Sequence, residues 1–252
     1  MILHATDLGE GPPAILLHGL FGTSSNFMTV QRRLAVGRRV LAFDLRNHGR
    51  SAHDPAMNYP IMAGDVLDTM RAHGLERAAL VGHSMGGKVA MQVALRAPER
   101  VSRLLIADIA PVAYPPRNQA IAEAMLSLPL TPDLTRSAAD QHLLPAVDDP
   151  VVRSFLLSNL RFGPAPAWRI GLAEIAAALP AIEGWSASGA YEGPTLVLRG
   201  ERSDYVRPEH RALFRALFPH ALFATLRGAG HWLHADAPDA FTETVAGFLP
   251  TA

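Results

Sequence analysis

The 252-residue chain contains no cysteine, which excludes a disulfide framework and any thiolate metal site. It has no excess of either charge, 23 Lys and Arg standing against 23 Asp and Glu. No concentrated basic run of the kind that tracks a phosphate backbone occurs, so a nucleic-acid partner is not expected. No segment approaches the ~18 apolar residues of a membrane span. The amino terminus, MILHATDLGEGPP, has neither a basic region nor a long apolar stretch, so the expected compartment is the cytoplasm, without a membrane partner. Repeats and low-complexity tracts are missing as well. What is present is a 49% apolar composition laid down in short bursts between Gly and Pro, which describes a globular chain.

Those bursts are AILLHG (14–19), VLAFDL (40–45), AALVGHS (78–84), LLIAD (104–108), TLVLRG (195–200) and LFATLRG (222–228). Near-continuous apolar runs of this length predict strands buried on both faces of a parallel sheet. Helical stretches alternate with them. Residues 60–73 start at Pro60 behind Asn58 and stop at Gly74, Met85 to Arg96 closes before Pro98, and Pro238 to Phe248 ends the chain's pattern. The class is therefore α/β with a mostly parallel, doubly wound sheet. From about Val112 to Gly193 strand signals vanish and Pro-punctuated helical pieces replace them. The expected division is a core of residues 1–111 and 194–252 with a helical cap inserted at 112–193; a helical subdomain packed away from the strand ends is the alternative.

The stretch VGHSMGGKV (81–89) fits two incompatible motifs. As G-x-x-x-x-G-K it approaches a phosphate-cradling loop, with LLIAD as an apolar strand ending in a magnesium-binding Asp. That loop needs a Ser or Thr after its Lys, and Val89 stands there. As G-x-S-x-G it is a nucleophile elbow, in which a strand enters, a tight turn lifts the Ser, and a helix leaves. AALVGH and MGGKVAMQVAL supply strand and helix, and Gly82 and Gly86 flank Ser84 where side chains would collide. His83 is adjacent to the serine, but neighbouring side chains diverge at such a turn, so it is expected to pack or bond locally. The general base is expected at His231, carried past the last strand by Gly228-Ala229-Gly230. His234 could pair with it on a metal at i, i+3, but no H-E-x-x-H pattern accompanies them. The oxyanion of an acyl-transfer intermediate needs backbone N–H donors. The residue after the nucleophile, Met85, offers one. The loop His18-Gly19-Leu20-Phe21-Gly22 offers the Leu20 amide as a second.

Together these residues resemble the α/β-hydrolase superfamily across essentially the whole chain. The segments HGLFG, DLRNHGRS, MNYPIMAGD, GHSMGGK, DIAPV and GAGHWLHAD, in that order, resemble the bacterial YbfF-type esterases in particular. The resemblance implies an α/β-hydrolase fold with a small helical cap and hydrolysis of short acyl esters and acyl-CoA thioesters. It places the nucleophile on Ser84, the base on His231 and the acid on Asp108. Many superfamily members instead carry the acid three residues after the glycine that closes the penultimate strand. Here that glycine is Gly200 and the third residue on is Ser203, with Asp204 beside it as the alternative acid.

The expectation is a cofactor-free, metal-free serine esterase or thioesterase whose partner is a small-molecule acyl ester or thioester. His18, Phe21, Trp232 and Arg117 are its candidate substrate contacts, Arg117 for an anionic group such as a CoA phosphate. A triad-bearing ligand receptor of the same fold, with slow or no turnover, is the alternative from another class. A dehalogenase would need an Asp where Ser84 stands.

Overall fold

The computed structural model describes residues 1–250. Among them the chain runs β1 (Ala5–Leu8), β2 (Pro13–Leu17), α1 (Met28–Leu34), β3 (Arg39–Phe43), α2 (Tyr59–Ala72), β4 (Ala78–His83), α3 (Met85–Arg96) and β5 (Val101–Ala107). It continues through α4 (Gln119–Leu126), α5 (Arg136–Leu143), α6 (Pro150–Leu157), β6 (Leu160–Arg161), β7 (Ala167–Trp168) and α7 (Leu172–Glu183). It closes with β8 (Thr195–Gly200), α8 (Arg211–Leu217), β9 (Ala221–Leu226), α9 (Leu233–Asp236) and α10 (Pro238–Phe248).

Strand side chains alternate between faces with period two, and both faces are covered. Ile15, Leu17, Leu41, Phe43, Leu80, Leu104 and Ile106 join one apolar cluster. Their neighbours Leu16, Val40, Ala42, Val81, Leu105 and Ala107 join the other. Each fully buried Leu, Ile or Phe contributes about 1.5–3 kcal/mol, which is why these runs tolerate no polar residue until the strands end. The described sheet has the order β1-β3-β2-β4-β5-β8-β9, parallel except where β1 pairs antiparallel with β3. This is the expected α/β-hydrolase sheet with one addition. The β1 run, ATDL, is half exposed on an edge and so lacks the apolar continuity that marks the others.

The helices fall close to expectation. Asn58 caps α2 by accepting from the Ile61 amide at 3.0 Å, Pro60 occupies the first turn, and Gly74 follows at φ 69°. None of the described helices is long and apolar enough to cross a membrane.

Between β5 and β8 the chain is not purely helical: β6 and β7 form a two-residue antiparallel ribbon, Leu160 against Trp168. Two residues per strand are too few to carry a periodic signal. The end of α7 is fixed by side chains from α2 and α3. Tyr59 donates to the Ile182 carbonyl at 2.6 Å, Lys88 to Gly184 at 2.7 Å, and Gln92 to Ser186 at 2.6 Å. Helix C-termini leave carbonyls without partners, and here the elements around the sheet supply the donors.

Candidate active site

The parallel register brings four strand ends to one edge. His83 ends β4 opposite Ala107 of β5, so Ser84 and Asp108 leave adjacent strands at the same level. Ser84 sits at φ 53°, ψ −122°, a conformation that a side-chain-bearing residue rarely adopts. Two glycines make that turn possible. A Cβ on Gly82 would lie 2.2 Å from the Gly86 carbonyl oxygen, and one on Gly86 would lie 2.2 Å from that of Leu17.

Asp108 is fully buried and also left-handed, at φ 53°. Its Oδ1 accepts from the Gly200 amide at 2.9 Å. Its Oδ2 accepts from the Ser203 hydroxyl and lies 2.8 Å from His231 Nδ1. His231 Nε2 lies 3.0 Å from Ser84 Oγ. A carboxylate only accepts, so Nδ1 carries the proton and Nε2 is left to accept from the serine. Asp204 is elsewhere: it faces solvent and pairs with Arg117 at 3.1 Å, a guanidinium that holds its carboxyl below the usual range. The position after Gly200 that would carry the acid in many relatives thus carries Ser203, which donates to Asp108 instead.

His231 is held from three sides. Its main-chain carbonyl lies 2.7 Å from His83 Nε2, Tyr205 stacks on its ring at 3.9 Å and 18°, and the Trp232 ring stands edge-on at 5.8 Å. His83 packs, against the His231 and His234 rings at 4.8 and 5.0 Å, but its hydrogen bond is not a local one. Its Nε2 bonds to a loop 148 residues on. Burial drives the His83 pKa well below its ordinary value, so it stays a neutral donor. His234 packs against Phe27 at 4.9 Å, and burial lowers it to about 4. No group of three or more His, Asp or Glu able to hold a metal occurs among the described residues.

The HGLFG loop is fastened by hydrogen bonds at both ends of Phe21 and at Gly19, Gly22 and the His18 ring. Gly22 N–H donates to the Gly19 carbonyl at 3.0 Å, and Phe21 is left-handed at φ 59° while Leu20 is not. That combination is a type II turn carrying Phe where Gly is usual. His18 Nε2 accepts from the Leu45 amide at 2.9 Å, so its Nδ1–H donates to the Gly19 carbonyl at 2.8 Å. His48 Nε2 accepts from the Phe21 amide at 3.1 Å, and its Nδ1–H donates to the Arg46 carbonyl at 2.8 Å. Both roles require neutral rings. Burial lowers the pKa of His18 and takes that of His48 to about 3. The amides of Leu20 and Met85 are left without an acceptor among the described residues. Both residues line the cavity that contains Ser84.

A cavity of about 440 Å³ opens over Ser84, within the range of small-ligand sites. Its wall is mostly apolar, with Phe155, Ile121 and Val152 from the inserted helices facing Phe21 and Trp232. Trp232 and Phe21 both line it. His18 borders the cavity, but both its ring nitrogens are committed to backbone, so it shapes the loop and has no polar atom left for substrate. Arg117 also borders the cavity, yet its guanidinium is bound to Asp204 and lies 5.3 Å over the Tyr205 ring. An anion there would compete with Asp204 for the guanidinium or use its remaining N–H groups. Lys88 is no phosphate ligand in this geometry: it is 1% exposed, its donors go to α7, and burial draws it down to about 7.

Sequence reasoning missed Tyr205, His48 and Asn159, the last of which donates to the Phe21 carbonyl at 2.7 Å. None carries a local signal, since each touches the site only through the tertiary fold.

Comparison with known proteins gives a consistent result. A model of the alpha/beta hydrolase fold family matches residues 12–238. The sn-1-specific diacylglycerol lipase ABHD11 of Mus musculus is 40% identical over 94% of this chain and 81% of its own. Esterase YbfF of Escherichia coli is 36% identical over 94% of this chain and 92% of its own. The solved structure of a marine microorganism esterase superposes with a TM-score of 0.95 at 34% identity, covering 98% of this chain and 99% of its own.

Proposed function

The chain belongs to the alpha/beta hydrolase fold family, its relatives support a carboxylic ester hydrolase, and from that premise we propose a serine mechanism through an acyl-enzyme on Ser84. His231 Nε2 takes the hydroxyl proton as Oγ attacks the acyl carbon, and Asp108 holds the tautomer and stabilises the imidazolium. The Leu20 and Met85 amides receive the oxyanion, a contribution of about a hundredfold or more in rate per donor. On collapse the bond to the leaving oxygen or sulfur breaks and His231 returns the proton to it. Water then repeats the sequence against the acyl-enzyme, releasing a carboxylic acid and regenerating Ser84. Cleavage of thioesters belongs to the same proposal, because the attacked carbon and the oxyanion are the same. So does a preference for small to medium acyl groups, for which the apolar cavity leaves room.

The observation that carries this reading is the chain of contacts Asp108–His231–Ser84, at 2.8 and 3.0 Å, in a cavity also lined by Leu20 and Met85, whose amides have no acceptor among the described residues. A fluorophosphonate should label Ser84, and Ser84→Ala should abolish labelling and turnover of p-nitrophenyl butyrate while melting normally. A receptor of the same fold would show labelling without sustained turnover. Retained turnover in Ser84→Ala would remove the mechanism.

A further inference from the structure

Resting on that reading, we infer that Asn159, on the inserted segment, is a positioning residue for the oxyanion site, so that electrophilic stabilisation depends on the docked insertion. Asn159 follows α6 and is 2% exposed. Its Nδ2 donates to the Phe21 carbonyl at 2.7 Å, across 138 residues of sequence. Its own carbonyl accepts from the Arg169 amide at 2.7 Å, which ties it to the ribbon of β6 and β7. It makes no contribution to the reacting atoms themselves.

The reason such a tether is needed lies in Phe21. A left-handed non-glycine residue is strained and persists only where its surroundings over-determine it. In this turn the relaxed alternative is a flip of the Leu20–Phe21 peptide, which would return Phe21 to negative φ and convert type II to type I. Two contacts oppose the flip. His48 holds the flipping peptide itself through the Phe21 N–H, and Asn159 fixes the following peptide through the Phe21 carbonyl, so that Phe21 cannot relieve its φ by letting that side of the residue turn. The flipping peptide adjoins the one whose N–H is the Leu20 donor, so relaxation displaces that donor from the position the oxyanion would occupy. Displacements of about 1 Å in such groups cost on the order of a hundredfold in rate.

The test is Asn159→Leu, which removes the donor at similar volume, with Asn159→Asp as a second variant that places an acceptor against the Phe21 carbonyl. Each should lower kcat on p-nitrophenyl butyrate by about tenfold to a hundredfold, with KM changed by less than about twofold. A loosened insertion with no bearing on the oxyanion would instead raise KM. Affinity for a trifluoromethyl ketone, which forms a tetrahedral adduct, should fall in parallel with kcat. Glycine accepts φ near 59° without strain, so in a Phe21→Gly background the Asn159→Leu step should cost less than about threefold. A kcat within threefold of the parent in both single variants, a loss confined to KM, or an undiminished loss in the Phe21→Gly background would overturn the inference. If Ser84→Ala still turns over substrate, the serine mechanism fails instead, and the two failures are separable.

Discussion

Replacing Asp108 by Asn separates the orienting role proposed for this carboxylate from its space-filling one, and the hydrogen bonds around it set the size of the effect. Oδ1 receives one donor, the Gly200 amide. Oδ2 receives two, Ser203 and His231. An asparagine has one accepting and one donating end. With its oxygen toward Gly200, its NH2 faces Ser203, which can rotate to accept, and His231, which can accept only after its proton moves from Nδ1 to Nε2. Every group is then satisfied, but Nε2 donates to Ser84 and can no longer take its proton. The reverse orientation keeps the productive tautomer and leaves the buried Gly200 amide facing a donor, a cost of about 1–3 kcal/mol. The productive form is thus depleted roughly fivefold to 150-fold. Loss of the negative charge beside the forming imidazolium removes the equivalent of about one to three pKa units, a further tenfold to thousandfold. The product spans about 10² to 10⁵ in kcat and brackets the ~10⁴ typical of removing a triad's orienting carboxylate. Asp204→Asn should lose less than about threefold, because its carboxylate serves an exposed ion pair with Arg117. The assay is p-nitrophenyl butyrate turnover alongside the rate of fluorophosphonate labelling, with melting curves to show that both variants fold. Near-normal turnover in Asp108→Asn, or a crippled Asp204→Asn, refutes the reasoning.

Two further outcomes are expected. His48 and His234 have native pKa values lowered to about 3 and about 4 by burial, so between pH 6.5 and those values the unfolded chain binds protons that the native chain does not. Their contribution is complete above pH 6.5 and is lost on acidification, by about 2 kcal/mol each at pH 5. Denaturant midpoints should fall accordingly between pH 7 and 5, and a flat profile in that window would contradict the buried neutral rings. Gly86→Ala places a methyl 2.2 Å from the Leu17 carbonyl oxygen and needs a shift of about 1 Å in the end of β2 or the start of α3. Soluble protein from this variant should be slow to react with a fluorophosphonate, and parental labelling rates would show that the elbow is less tightly packed than its contacts indicate.

The sheet was readable because burial on both faces writes the same apolar run into each central strand, and the elements it missed lack that pressure. β1 is a half-exposed edge, and the ribbon of β6 and β7 has two residues a side. At the site, Ser84 and His231 announce themselves through glycines that the local backbone demands. Asp108 is legible as an acid at a strand end and through family resemblance, but choosing it over Asp204 takes the tertiary contact with His231. The hydrogen bond of His83 escaped notice for a related reason: its partner is a main-chain carbonyl 148 residues away, and no local pattern encodes such a bond.

Among the described residues, the non-glycine positions with left-handed backbone are Phe21, Asn47, Ser84 and Asp108. Each follows the carboxyl end of one of the parallel strands β2, β3, β4 and β5. Strain of this kind costs on the order of 1–3 kcal/mol per residue, and a chain has no reason to gather it along one edge for stability alone. It is held there by bonds that reach across the fold: Ser84 N–H to the Ala107 carbonyl and Asp108 N–H to that of Leu198, both at 2.9 Å, Phe21 between His48 and Asn159, and Asn47 through its carbonyl to the Gly171 amide at 2.8 Å. The last two lead into the segment between β5 and β8. Strand ends, strained corners and inserted helices are therefore bound into one unit, in which the corners beside the cavity are fixed by His48, Asn159, Gly171, Ala107 and Leu198, residues outside the cavity's lining.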